Sequence, residues 1–377
     1  MINTSYELNN IQRDSDFAIN PKLNKKSPVS EVFAAMVSGK NLDSLALNTE
    51  KVNGAVNYIK ELGVRAGNGD YNAVAELNTL RRWTIESPIM QEIKLLGIFG
   101  NYQALGYDET IEREITVYAG EKAREQAAGG DVVFPAIAEE RYTVPTFTIS
   151  GGYAVDYRRV ALGDMSKENE GMAQVQTTIR NKALLAVVNK VYNAIKNATG
   201  VKYQFEGSGL TKAGVDKVLQ NVRRNGRPTV IADYALISQF TPWAGYVGSV
   251  NNTTITGISE AQMNELAANG ALSMYNGALL SEMPNPYDLY KPTVTDSSGE
   301  KNFQTLLPAG LGFVIPQGVN SPIATWTRGG LTSFTGNNVK NGKIETRFDL
   351  EVAVDVAKTQ EWKIGTIYDN TIGGLSQ

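Results

Sequence analysis

An α+β fold is what this sequence predicts, with helices gathered early and the longest strand late, and three stretches carry the prediction. Between residues 28 and 96, apolar side chains recur at helical spacing with capping residues between the runs. From Met172 to Asn197, Val175, Ile179, Leu184, Val187, Val188, Val191, Tyr192 and Ile195 make one apolar stripe. Near the end, TRFDLEVAVDVAKTQEWKIGTIYD (346–369) alternates. Phe348, Leu350, Val352, Val354 and Val356 point one way. Arg347, Asp349, Glu351 and Asp355 point the other, with small Ala353 and Ala357 between. A period of two belongs to a half-buried strand.

Taken in order, the first 45 or so residues are weakly patterned. Ser27 followed by Pro28 reads as a cap and first helical position, leading into Val32, Phe33 and Met36. A second helix is predicted from a Thr49 cap through Val52, Val56, Ile59 and Leu62, closed by Gly63. A third starts at Asp70 and carries Val74, Leu77 and Leu80. Ser87 and Pro88 predict a fourth start, before Ile89, Ile93 and Leu96. From Ile111 to about Val160 the character changes. IEREITVYAG reads as a strand, EKAREQAAGGD is small, charged and glycine-containing, and strand-like pieces broken by Pro135, Pro145 and Gly151–Gly152 follow. Proline is tolerated at strand edges rather than in central strands, so a long exposed two-stranded excursion is expected.

The stripe from Met172 comes next, as a helix of roughly 39 Å at 1.5 Å per residue. If it is buried, Val191→Asp or Tyr192→Asp should cost about 3 kcal/mol of unfolding free energy. Beyond Gly200 the chain reads as an α/β region. Thr211 caps a helix bearing Val215, Val218, Leu219 and Val222, ended by Gly226. PTVIA (228–232) is a buried strand and DYALISQF the next helix start. Ser259 with Gln262 fits a capping box, for a helix that stops near Gly270. ALLSEM, LGFVIP and IATWTR are short strands ahead of the long alternating one.

Composition removes whole classes of chemistry. The 377 residues hold no cysteine and no histidine. That excludes disulfides, thiolate nucleophiles, imidazole bases and most zinc sites. The 36 basic and 39 acidic side chains leave a net charge of −3, without the basic excess of a dedicated nucleic-acid binder. No run of 18 apolar residues predicts a membrane span. MINTSYELNNIQRDSDFAIN lacks the basic start and apolar run of a signal peptide. At this length two or three packed regions are expected.

Specific motifs give little chemistry. GNNVKNGKI (336–344) departs from a phosphate-binding loop, because five residues separate its glycines and Ile344 stands where a Ser or Thr is needed; it reads as a hairpin turn. RRNGR (223–227) reads as a solvated helix end. Lys22, Lys25 and Lys26 form a small patch suited to a neighbour's acidic face or to packaged nucleic acid. Glu139 and Glu140 face opposite sides of a strand and make a poor acid–base pair. Trp83, Trp243, Trp326 and Trp362 are too widely spaced for a base-stacking platform and read as packing anchors. No catalytic, cofactor-binding or metal-binding residue is assigned.

In their order, the segments resemble the major capsid proteins of tailed bacteriophages, the HK97-like shell fold. The excursion around Tyr118–Tyr157 is similar to an extended β-hairpin E-loop, and TFTISGGYAVDYRRVALGD to the strand returning before a long helix. Met172–Asn197 resembles the spine helix of the P-domain. VIADY, YNGALLSEMPNPYD (275–288) and LLPAGLGFVIP (306–316) resemble A-domain segments, and the terminal strand resembles the one returning beside the spine helix. The likeness covers the chain from about residue 110 onward.

It implies an N-terminal arm and helical region at 1–110, the E-loop and start of the P-domain at 111–165, and the spine helix at 166–204. An A-domain at 205–322 and P-domain return strands at 323–377 follow. No acidic coiled-coil block precedes them, which favours a retained arm over a cleaved scaffolding segment. The implied protein is non-catalytic and needs no cofactor. Hexamers and pentamers would form an icosahedral shell enclosing double-stranded DNA without sequence-specific binding. Portal and scaffolding or decoration proteins would be partners, no membrane would be involved, and the virion capsid would assemble in the host cytoplasm. On this reading Phe348, Leu350, Val352 and Val354 pack on the spine helix beside Val191 and Tyr192. Some members form a Lys–Asn isopeptide crosslink. Lys122 lies near the excursion tip, but no matching Asn and acid can be placed, so noncovalent assembly is expected. The alternatives are an encapsulin-like compartment shell subunit holding protein cargo, and a carboxylate/metal-dependent α/β enzyme.

Overall fold

A computed structural model describes residues 25, 27–118, 137–198, 203–243, 246–250, 253–257, 260–288, 293–295, 299, 301–317, 321–338 and 342–372. Among the described residues three helices come first: α1 (Pro28–Val37), α2 (Thr49–Gly67) and α3 (Tyr71–Lys94). Ser27 caps α1 as expected, accepting from the Ser30 N–H. The cap of α2 is Asn48, not Thr49; its side-chain oxygen accepts from the Lys51 N–H at 2.9 Å. This helix also runs past Gly63. A Cβ there would stand 2.7 Å from the backbone nitrogen of Ala161. The glycine therefore permits a close helix–helix approach and does not end the helix.

Asp70 caps α3 by accepting from the N–H groups of Asn72 and Ala73. The fourth helix start expected at Ser87–Pro88 is absent, because Pro88 lies inside a continuous α3. Ile85, Ile89 and Ile93 are all buried in one core. Their packing on both sides of the proline outweighs its helix penalty of roughly 3 kcal/mol.

After β1 (Asn101–Leu105), strands β2 (Glu112–Tyr118) and β3 (Ile137–Thr143) pair antiparallel as a separate two-stranded hairpin. The excursion is as expected at its base; its tip, with Lys122, lies outside the described residues. Then come β4 (Phe147–Asp156), α4 (Tyr157–Leu162) and α5 (Ser166–Asn197). The long helix begins six residues before the expected Met172, since Asp164 Oδ1 accepts from Ser166 N at 3.1 Å and Ser166 Oγ at 2.7 Å. Its 32 residues make a rod of about 48 Å. The predicted stripe is buried except for Tyr192, which is half-buried. The full penalty for an aspartate therefore belongs to Val191.

Strands β1 and β4 flank two longer ones, β14 (Ile323–Asn338) and β15 (Lys343–Val356), in the order β1-β14-β15-β4. IATWTR thus grows into a much longer strand, past a bulge where Gly329 and Gly330 both take φ 74°. The β14–β15 hairpin, paired down to Asn338 opposite Lys343, bears out the hairpin reading of GNNVKNGKI.

A second sheet is built from β5 (Tyr203–Gly207), β6 (Arg227–Ala232), β9 (Met274–Tyr275), β10 (Ala278–Glu282), β13 (Leu311–Gln317) and β16 (Gly365–Asp369). Its order is β5-β16-β13-β6-β10-β9. Helix α6 (Lys212–Arg223), capped by Thr211, buries Val215, Val218, Leu219 and Val222 in that sheet's core. Short α7 (Tyr234–Ile237) follows β6, and α8 (Glu260–Asn269) ends before Gly270 at φ 71°. Ser259 falls outside the described residues. Strands β7 (Tyr246–Val250) with β8 (Thr253–Gly257), and β11 (Thr293–Thr295) with β12 (Lys301–Phe303), form two small hairpins.

The alternating strand is not the last regular element. Residues 346–369 divide between two sheets: β15 ends at Val356, and β16 pairs with both β13 and β5. The fold is α+β. A helical N-terminal region, a two-stranded hairpin, a long helix against long strands and an α/β region follow one another in that order.

Candidate assembly surface

The platform is the four-stranded sheet with α5 across one face. Ile344, Phe348, Leu350, Val352 and Val354 alternate toward the helix and are all buried in its core cluster with Val175, Ile179, Leu184, Val188 and Val191. Of the residues expected to carry assembly or packing, Val191, Phe348, Leu350, Val352 and Val354 therefore lie inside the subunit, with Tyr192 packed at the margin.

The other face of β15 begins as predicted. Arg347 Nε donates to Asp349 Oδ1 at 2.7 Å and its Nη2 to Ser150 Oγ at 3.1 Å, while Arg328 Nε donates to Glu351 Oε2 at 2.7 Å. Further along, this face is covered. Ile111 and Val144, at the root of the β2–β3 hairpin, bury Ala324, Trp326 and Ala353. Asp355 beside them accepts from Tyr142 Oη at 2.6 Å and from Arg113 Nη1 at 3.3 Å. Arg113 also donates to the carbonyls of Asp355, Ser321 and Pro322. Burial, and then the bond to Asp355, push the Tyr142 hydroxyl up to about 12. This latch fixes the direction in which the hairpin leaves the platform. Small Ala353 and Ala357 were the sequence's only sign that the charged face is covered at that end.

A second polar cluster joins the N-terminal helices to the platform. Arg81 of α3 and Glu168 in the first turn of α5 are both fully buried. Arg81 Nε donates to Glu168 Oε1 at 3.1 Å, its Nη2 also meets that oxygen, and its Nη1 donates to Thr346 Oγ1 at 3.2 Å. Tyr153 Oη donates to Glu168 Oε2 at 2.7 Å, and its ring stacks on Phe348. Burial, and then the Glu168 charge, push the Tyr153 hydroxyl well above the ordinary tyrosine range. Beyond the reach of β1, α3 covers the edge of β14: Asn78 Nδ2 donates to the Ser333 carbonyl at 3.1 Å. An edge so covered cannot recruit a stray strand.

What remains outside is apolar in places. Phe334, at 60% exposure, and Tyr71 border a cleft of about 310 Å³ between α3 and β14. Leu162 and Tyr287 are also exposed. Among the described residues strand β4 pairs only with β15, and no described strand lies on its second edge. Lys25, from the basic patch, meets Glu86 of its own chain at 2.7 Å; Lys22 and Lys26 are outside the described residues. Arg223 is tied to the Asn276 carbonyl at 3.2 Å, so RRNGR is partly anchored and not simply solvated. Glu139 and Glu140 are both exposed. Trp83 and Trp326 are buried and Trp243 meets Phe240 edge-on, but Trp362 is an exception to the anchor reading, with 41% exposure. Among the described residues no acidic cluster could hold a metal ion, and no helix is long and apolar enough to cross a membrane.

A family model described as "SPbeta prophage-derived putative capsid protein YonB" matches residues 7–368. No curated protein matches the chain significantly. Among solved structures, a chain of Mycobacterium phage Bobi is 12% identical, covering 76% of this chain and 91% of its own, with a TM-score of 0.46. The mature capsid of bacteriophage PhiM1 is 10% identical over 73% of this chain and 87% of its own, at 0.45. A virus-like particle from Pyrococcus furiosus is 8% identical over 75% of this chain and 97% of its own, at 0.44.

Proposed function

This chain belongs to the SPbeta prophage-derived putative capsid protein YonB family, and from that membership we propose that it assembles as hexamers and pentamers into a closed icosahedral shell around double-stranded DNA. A capsid protein's work is structural and not catalytic. The observation that supports this reading is the family match over residues 7–368, on a subunit that keeps its own core closed yet leaves Tyr71, Leu162, Tyr287 and Phe334 exposed. Large apolar side chains in the open are what repeated subunit contacts around closed symmetry would cover. Charged neighbours such as Arg347, Asp349 and Glu351 would set register more than affinity. Assembly is noncovalent and takes place in the host cytoplasm. A portal and a scaffolding or decoration protein complete the set of partners.

Negative-stain microscopy and sedimentation of the recombinant protein test the proposal. Uniform closed particles, or free rings of five and six, are expected. A chain that stays monomeric even with scaffold or crowding agents would contradict it. Co-purified protein cargo in place of DNA would turn the reading to a cargo-holding compartment. Covalent ladders after boiling in detergent would overturn the noncovalent part.

A further inference from the structure

The far part of α5 has a one-sided chemistry. After Glu170 no acid occurs in the helix as far as Asn197. Its exposed positions over the last four turns are Lys182, Asn189, Lys190, Asn193, Lys196 and Asn197, a row about 22 Å long at 1.5 Å per residue. The helix dipole accounts for a lysine in the last turn, such as Lys196. It fades within a turn and does not account for Lys182 or Lys190.

The row runs into a cleft of about 720 Å³ between the end of α5 and the turn after β15, where Lys190, Asn193 and Asn197 face Lys358, Thr359 and Trp362. Two acids also line it: Glu361, and Asp355, which the Arg113–Tyr142 latch already engages. Thr359 holds φ 64°, a left-handed backbone that a β-branched residue rarely adopts. Its carbonyl accepts from the Trp362 indole N–H at 3.0 Å. A strained turn therefore holds an exposed ring and Lys358 at the mouth of the cleft, and strain of this kind gathers at working surfaces.

We propose that this face of α5 and the cleft at its end contact the phosphodiester backbone of the enclosed DNA, and so mark the interior face of the subunit. The inference rests on the shell reading above. Ammonium and amide donors in a row suit contacts that hold the backbone and read no bases. The whole chain carries −3 and is repelled by a duplex, so any affinity must be local.

The test is fluorescence anisotropy of a short mixed-sequence DNA duplex with the purified full-length chain over a KCl series. The triple variant Lys182→Gln, Lys190→Gln, Lys196→Gln is compared with a control, Lys40→Gln, Lys51→Gln, at exposed positions in the loop after α1 and in the first turn of α2. The triple variant should bind about tenfold more weakly at low salt, with the log–log salt slope reduced by about 0.9 for each phosphate that is no longer neutralised. The control should match the parent. Equal binding by parent and triple variant overturns the proposal. So does a poly-glutamate peptide that binds the same lysines more tightly and displaces the duplex, an outcome that assigns the face to an acidic protein partner. Electron microscopy of the same preparations separates the two readings. Absent parent shells count against the proposed function, whereas normal shells with unaltered DNA binding in the triple variant overturn this inference alone.

Discussion

Arg81 and Glu168 stand 87 residues apart in the chain and meet in a fully buried pair. Removing one partner leaves the other charge buried and uncompensated. Arg81→Met or Glu168→Leu alone should therefore cost about 3–5 kcal/mol, while the double variant recovers most of the loss. Urea unfolding of the three variants checks this; additive losses in the double variant would show that the two side chains act separately. Neither residue was singled out from the sequence, although one of them left a signal there. Following the α5 stripe one turn upstream from Met172 reaches Glu168 on the same face, which marks it as a buried acid in need of a cation. Nothing in the sequence selects Arg81, because a partner brought in by tertiary packing leaves no local periodicity.

At the scale of the element, the β2–β3 hairpin is held at its root by Tyr142, Arg113 and Asp355. The folded state keeps the Tyr142 proton up to about pH 12, whereas an unfolded tyrosine loses it near 10. A raised folded value means that the contribution is complete below about pH 10 and is lost as the pH rises toward 12. Denaturant unfolding across that window should show a steeper loss of stability for the parent than for Tyr142→Phe. Parallel curves would mean that the hydroxyl does not couple to folding. Element identity was legible where periodicity is long, as in α5 and β15. It was misread at Gly63 and Pro88. Both residues break helices by local preference, but here one is needed for contact with α4 and the other is carried by isoleucines on either side. Local signals cannot report such contacts.

Over the whole molecule, the chain passes from the four-stranded sheet into the six-stranded one, back for β14 and β15, and out again for β16. Among the described strands β5 pairs with β16 alone. A chain cut after Lys358 should keep α5 and the β4–β15 platform but lose order in the second sheet. Limited proteolysis should then cut within residues 203–317 while a fragment holding 28–198 survives. Resistance of the 203–317 region would show that β16 is dispensable. The sequence could not show this return, because GTIYD is too short to declare which sheet it joins. The crossing also carries a consequence in time. A protein emerges from the ribosome from its N-terminus and folds as it appears, yet β5 waits for a partner that follows every other described strand. The six-stranded sheet is finished only after the platform, so the surface proposed to meet neighbouring subunits is completed last. On the proposed shell reading, the order of strands along the chain thus withholds assembly until residues 365–369 have emerged.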